Sequence, residues 1–294
     1  MKDRTIEANG LRFHIVEDGP ADGALVLLLH GFPEHAHSWR HQLPALAAQG
    51  YHAVAPDLRG YNLSDKPLGV ARYDLDVLAD DVVGWMATLG YERAHLVGHD
   101  WGAAVVWHTA ARHPQRCASM TALACPPPQE LGRALATNFK QLLRSRYMLF
   151  FQLPWLPERL LRGARFRRWL TEWAGRDGVF AEEDIDRFAQ ATERPGGLGP
   201  ALNYYRAAFR RVGDALRTPT KVTCPTMVIW GKDDPILGVE LTNHLSRYVE
   251  GTVRLEVLPG VGHFVQQDAP AEVNRLLIAF LESISHAPKP GGSK

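Results

Sequence analysis

The chain has 294 residues, 46% hydrophobic and 22% charged, with 33 Lys and Arg against 32 Asp and Glu for a net charge of +1. So balanced a charge excludes a general attraction to nucleic acid and gives no reason to expect stable membrane association. The length suits one large domain or a core with an insertion. The N-terminus, Met1 to Thr5, is charged and leads into no long apolar run, so neither a signal peptide nor a membrane-spanning segment is expected. Three cysteines, Cys117, Cys125 and Cys224, are odd in number and lack metal-ligand spacing. They read as small core fillers in a reduced, cytoplasmic setting.

Leu11 to Glu17 alternates in part, as a half-exposed strand does, and Asp18 to Gly23 has turn chemistry. Ala24 to Leu29 is continuously apolar, as a strand buried on both faces of a mostly parallel sheet should be. It runs into His30-Gly31-Phe32-Pro33-Glu34, at the C-terminal end of a central strand, where open α/β sheets bind ligands. Gly31 permits a tight backbone that leaves the Phe32 N–H free to point at a negative oxygen. A helix is predicted from about Ser38 to Ala48. His35, His37 and His41 lack a carboxylate or cysteine to complete a metal set and read as surface or packing residues, so no metal is expected. Tyr51 to Asp57 is the next strand. Leu75, Leu78, Val82, Val83 and Met86 then recur at helical spacing, with Asp74, Asp76, Asp80 and Asp81 expected on a solvated opposite face.

Ala94 to Val97 reads as a strand and Ala103 to Arg112 as a helix, joined by Gly98-His99-Asp100-Trp101-Gly102. A strand, a tight turn between small residues and a helix form a nucleophile elbow, here with Asp100 where Ser is usual. The Trp101 N–H can point to the same place as that of Phe32, and two such amides form an oxyanion hole. A strand at Ser119 to Ala124 follows, and no phosphate-binding glycine loop appears, so no nucleotide cofactor is expected.

After Cys125-Pro126-Pro127-Pro128 the chain becomes helical, aromatic and arginine-rich. Its basic amphipathic piece, Arg159 to Leu170, fits a helical cap over a cleft better than a membrane-binding face. The α/β alternation resumes with a strand at Cys224 to Gly231, a helix at Val239 to Tyr248, a strand at Val253 to Leu258 and a last helix at Ala269 to Ser283. The expected organisation is residues 1–128 and 220–286 as two parts of an α/β core, 129–219 as an inserted cap and 287–294 as a disordered tail. Asp100, an aspartate at 233 or 234, and His263 lie beyond the ends of core strands, in the order nucleophile, acid, histidine.

On these residues nearly the whole chain resembles an α/β-hydrolase with a mostly parallel sheet and an inserted helical cap. His30-Gly31-Phe32-Pro33-Glu34 with Gly98-His99-Asp100-Trp101-Gly102 resembles the epoxide hydrolase branch. The spacing from Gly231 in that family favours Asp234 over Asp233 as the acid. The resemblance implies no cofactor, and water and a small apolar epoxide as substrates, with the protein a monomer or homodimer. It also implies two cap tyrosines that protonate the epoxide oxygen. Asn203-Tyr204-Tyr205-Arg206 matches the family pattern at Tyr205, and Tyr147 matches the second, more loosely. Related haloalkane and haloacetate dehalogenases use the same Asp nucleophile. The haloalkane enzymes usually lack Phe at the Phe32 position, and the haloacetate enzymes tend to carry Arg where this chain has Trp101. A non-catalytic binding protein on the same fold is a third reading, disfavoured because the triad is intact.

Overall fold

The computed structural model describes residues 1–211 and 221–285. The expected cap-to-core boundary at 219/220 and the tail at 287–294 lie outside the described residues. Eight strands form one sheet: β1 (Lys2–Ala8), β2 (Leu11–Asp18), β3 (Leu25–Leu29), β4 (His52–Pro56), β5 (Ala94–His99), β6 (Cys117–Leu123), β7 (Thr226–Gly231) and β8 (Val253–Leu258). Their order is β1-β2-β4-β3-β5-β6-β7-β8. The β1–β2 and β2–β4 pairs are antiparallel, and the pairs from β4 through β8 are parallel.

The apolar run at β3 is explained by what covers it. Successive side chains of a strand point to opposite faces. Leu25, Leu27 and Leu29 therefore join Trp85, Met86 and Val106 on one face, while Val26 and Leu28 join Leu43, Leu46, Leu277 and Phe280 on the other. Every β3 residue is buried. The helix Leu75–Leu89 starts where the Asp74 carboxylate accepts the Asp76 N–H and ends at Gly90, which takes the left-handed conformation at φ 85°. Asn62 also has positive φ, 39°, and donates to Asp57 Oδ2 at 2.9 Å. An asparagine tolerates that conformation far better than most side chains.

Between β6 and β7 the described chain is helical: Pro128–Thr137, Phe139–Arg144, Arg146–Phe150, Leu156–Leu160, Gly163–Ala174, Glu182–Glu193 and Gly199–Arg210. The basic amphipathic piece straddles two of these helices. Its apolar residues Phe166 and Leu170 are covered by Phe180, Phe188 and Phe264, so that face is occupied by protein.

Four expectations need correction. The first forty residues hold three strands, because Lys2–Ala8 pairs with β2 although its first four residues are exposed. The helix expected from Ser38 is a 3₁₀ turn, Ala36–Trp39, followed by the short helix Gln42–Ala47. The helix expected over Val239–Tyr248 is two 3₁₀ turns, Val239–Thr242 and Leu245–Arg247. Asp81 is not on a solvated face: it is 1% exposed and receives Arg59 through two bonds, Nε at 2.7 Å and Nη2 at 2.6 Å. A bidentate pair this deep holds two desolvated charges, and removing one partner strands the other. Asp81→Ala is therefore expected to cost about 3–5 kcal/mol in a urea titration, and the double variant Arg59→Met/Asp81→Leu to recover much of that loss.

Candidate active site

The elbow is built by contact as much as by conformation. Asp100, at φ 49° and ψ −120°, holds a backbone region that non-glycine residues rarely adopt, between β5 and the helix Trp101–Arg112. The flanking glycines are required by close approach. A Cβ on Gly98 would lie 2.5 Å from the Gly102 carbonyl carbon, and one on Gly102 would lie 2.1 Å from the Leu29 oxygen. A Cβ on Gly31 would meet the Asp100 Cβ at 2.5 Å, so the loop after β3 presses directly on the elbow. The Phe32 N–H donates to Asp100 Oδ1 at 2.9 Å. Trp101 is the first residue of its helix, so its N–H has no carbonyl partner within the helix.

His263 and Asp234 reach the same point from loops after β8 and β7. The Nδ1 of His263 lies 2.7 Å from Asp234 Oδ2. Asp234 Oδ1 accepts the Ile236 and Leu237 N–H groups at 2.7 and 2.8 Å, which fixes the carboxylate plane. Asp233 is instead exposed and accepts the Gly260 N–H at 2.9 Å. The opposite ring nitrogen, His263 Nε2, is 3.6 Å from Asp100 Oδ2, an ion-pair distance too long for a hydrogen bond, and it is buried with no hydrogen-bond partner. Burial works to lower the His263 pKa, but Asp234 and Asp100 outweigh it and raise it from 6.5 to about 10. For Asp100, burial works upward, yet the contact with His263, the nearby His99 ring and the Phe32 N–H hold the carboxyl below its ordinary value.

The two tyrosines expected from the cap lie together beside Trp101, in a shell of rings. Tyr205 lies edge-on to Trp101, Phe151 and Phe32, at centroid distances of 5.0, 4.9 and 5.4 Å. Its hydroxyl is buried without a well-formed hydrogen bond to the protein, although Trp101 and Tyr147 adjoin it. Burial first, then the charge of Asp100, pushes the phenol pKa well above its usual range, so Tyr205 stays protonated. Its neighbour Tyr204 is different: its hydroxyl donates to the Arg59 carbonyl at 2.8 Å and is committed to the core. Tyr147 packs on Tyr205 at 6.0 Å and on Trp173 at 4.5 Å. It also lines a cleft of about 370 Å³ with Leu143, Arg146, Trp173 and Ile236. A larger cleft of about 480 Å³, between Arg133 and His244, touches none of these groups.

Sequence reasoning missed the layer behind the triad. Glu34 is fully buried and accepts Gln266 Nε2 at 3.1 Å and Gln267 Nε2 at 2.8 Å. The Nδ1 of His99 lies 3.1 Å from Glu34, and its Nε2 lies 3.0 Å from the His263 carbonyl oxygen. A Glu directly after the His-Gly-Phe-Pro run and a His directly before Asp100 were the available signals. His30 orients the loop between them: its Nε2 accepts the Leu58 N–H at 2.9 Å, which leaves Nδ1–H to donate to the Gly31 carbonyl, also at 2.9 Å.

The raised His263 pKa has a consequence for stability. A histidine stabilised in its protonated form contributes fully below its unfolded pKa near 6.5 and loses that contribution as pH rises toward about 10. Tm is therefore expected to fall across this window by more in wild type than in His263→Gln, measured by calorimetry at constant ionic strength. Equal slopes would show that His263 is neutral in the folded protein.

Residues 24–270 match the family description of the alpha/beta hydrolase fold. The chain is 36% identical to Epoxide hydrolase 3 of Mus musculus over 95% of its own length and 76% of that protein. It is 35% identical to Epoxide hydrolase A of Mycobacterium tuberculosis, over 96% and 98% of the two chains. The AB hydrolase superfamily protein YfhM of Bacillus subtilis is 36% identical, over 96% and 99%. Among solved structures, the Bacillus megaterium epoxide hydrolase in complex with an inhibitor superposes with a TM-score of 0.86 at 33% identity, covering 95% of this chain and 100% of that one. Together with the elbow geometry, these likenesses carry one conclusion: the chain belongs to the alpha/beta-hydrolase family, in the branch of the epoxide hydrolases.

Proposed function

We propose that this protein opens epoxides to vicinal diols through a covalent ester on Asp100. The observation that carries the reading is a pair of buried polar atoms without a well-formed hydrogen bond, the Nε2 of His263, 3.6 Å from Asp100, and the hydroxyl of Tyr205, whose ring packs on Trp101. Buried polar atoms are normally satisfied, and exceptions ask for a ligand.

An Asp nucleophile selects the chemistry. Attack on a carboxylic ester would produce an anhydride, whereas attack on a saturated ring carbon gives an ordinary alkyl ester. In the first step an Asp100 oxygen bonds to an epoxide carbon and the C–O bond breaks. The ring oxygen takes a proton from Tyr205, with Tyr147 as the second donor, leaving a tyrosinate. In the resting state His263 is held protonated between two carboxylates. Esterification makes Asp100 neutral and removes one of those charges, so the imidazolium becomes more acidic and its proton returns to the tyrosinate through water. His263 is then the neutral base that the second step needs, oriented by Asp234. It deprotonates water, hydroxide adds to the ester carbonyl, and the oxyanion lies between the Phe32 and Trp101 N–H groups. Collapse breaks the bond to the diol oxygen, which takes the proton of the newly added hydroxyl, so that diol leaves, Asp100 is again a carboxylate and His263 is again protonated. The charge that the nucleophile loses is the trigger for the base.

The inserted helices from Pro128–Thr137 through Gly199–Arg210 act in this reading as a cap that brings the tyrosines and an apolar ring wall over Asp100. Water and a small apolar epoxide are the substrates, with no cofactor, and the protein works as a monomer or homodimer. Three free, buried cysteines support a reducing, cytoplasmic setting. Among the described residues no helix is long and apolar enough to cross a membrane.

The experiment is diol and halide analysis on a panel of aryl and alkyl epoxides, haloalkanes and haloacetates. Diol without halide is expected, and halide without diol would overturn the assignment to Tyr205 and Tyr147. Asp100→Ala is expected to abolish turnover. His263→Gln is expected to gain the mass of one epoxide on the intact protein and then stall; no gain in mass would end the two-step scheme. Tyr205→Phe is expected to lose about 10²–10⁴-fold in turnover with Tm little changed, since the lost hydroxyl makes no well-formed hydrogen bond to the protein. Tyr204→Phe is expected to show the reverse, a loss of about 1 kcal/mol in stability with chemistry largely kept.

A further inference from the structure

Behind the triad a hydrogen-bonded chain leaves the site and ends on an inserted helix. Asp184, in the first turn of Glu182–Glu193, accepts from Arg40 Nη2 at 2.7 Å, and His37 Nε2 lies 2.7 Å from its other oxygen. Arg40 also donates to the Gln267 side-chain oxygen. The Gln267 amide donates to Glu34, Glu34 faces His99 Nδ1, and His99 Nε2 faces the His263 carbonyl oxygen. The middle of the chain is tied along the sequence to the proposed machinery. Glu34, His37 and Arg40 follow Phe32 on one short segment, and Gln267 lies four residues after His263, in the turn of helix Val265–Asp268.

This arrangement gives two of the histidines flanking Phe32 a place. His35 lies edge-on to Phe188 of the inserted helix at 5.0 Å, and His37 bonds to Asp184 of the same helix. Asp184 itself is nine-tenths buried, with a relative exposure of 6%. A partly desolvated carboxylate gripping two cationic or polar donors is far more directional than a surface pair.

We infer that Asp184 is a positioning residue for His263, acting through Arg40, Gln267, Glu34 and His99. Seating of the inserted helix sets Arg40, Arg40 orients the Gln267 amide, and that amide fixes the carboxylate that holds His99 against the His263 backbone. The loop carrying the base is therefore correctly placed only when the helix is docked. The kinetic part of this inference rests on the two-step reading above, in which His263 serves ester hydrolysis and not ester formation.

The test has a kinetic and a spectroscopic arm. In single-turnover experiments on the full chain, Asp184→Asn and Gln267→Met are each expected to slow ester hydrolysis about tenfold with ester formation kept. Asp184→Glu should restore part of the rate. The double variant is expected to be no slower than the slower single variant, because both cut one chain and their effects do not multiply. Multiplying effects, or an Asp184→Asn change confined to KM or Tm, would overturn the inference. In the resting protein the His263 ring ¹⁵N resonances are expected to move in Asp184→Asn and in Gln267→Met. They should stay in Glu183→Gln, whose neighbouring carboxylate pairs with Arg187 on the surface. Resonances that stay put while wild type forms and hydrolyses the ester would sink the relay alone. Resonances that move in a protein that never forms the ester would keep the relay and sink the epoxide reading.

Discussion

One imidazole shared by two buried carboxylates is the constraint on which the rest depends. Desolvation disfavours every charge in Asp234–His263–Asp100, and only their mutual proximity makes the set tolerable. That balance requires Asp234 to be locked by the Ile236 and Leu237 amides and Asp100 to be met by the Phe32 amide. The rings of Phe32, Phe151, Trp169 and Tyr205 pack against one another beside it. A wetter site would weaken each of these interactions together.

Holding those charges within a few ångströms is a backbone problem before it is a side-chain problem. β3 and β5 are neighbours in register, Leu29 opposite Gly98, so the loops that leave them start side by side. The glycines at 31, 98 and 102 then allow main chain to approach main chain where any Cβ would collide. The strain at Asp100 is sustained by this crowding: a residue at φ 49° would relax if its surroundings had room.

Much of this was legible in the sequence, for identifiable reasons. The apolar runs at β3 and β7, the glycine-bracketed Asp100 and the loops ending in Asp234 and His263 announce themselves because buried parallel strands and elbow turns each demand one kind of residue. The choice between Asp233 and Asp234 was not available from local pattern; it depends on which carboxylate faces the His263 ring. Asp81 misled because helical spacing cannot tell a solvated carboxylate from one that meets Arg59 from another element. Lys2–Ala8 misled because an edge strand can be polar where it has little to bury. The residues 239–248 have apolar spacing that suits a helix, yet fold as two tight turns. The Glu34–His99 pair was invisible since its meaning lies in contacts across more than sixty positions of chain.

Tyr204 and Tyr205 are consecutive residues on one helix, about 100° apart around its axis. One phenol is tethered to the Arg59 carbonyl and the other packs edge-on to Trp101, directly after Asp100. Their roles are therefore a matter of rotational phase. Inserting a single residue ahead of them, within Gly199–Arg210, would carry Tyr204 into the place of Tyr205 and Tyr205 into that of Arg206, and deleting one would carry Tyr205 into the tethered place, with composition and helix propensity nearly unchanged. Variation in this helix is thus open to substitution on its outer face and closed to changes in length, and any natural or engineered change in reach over Asp100 has to be absorbed upstream of Leu198.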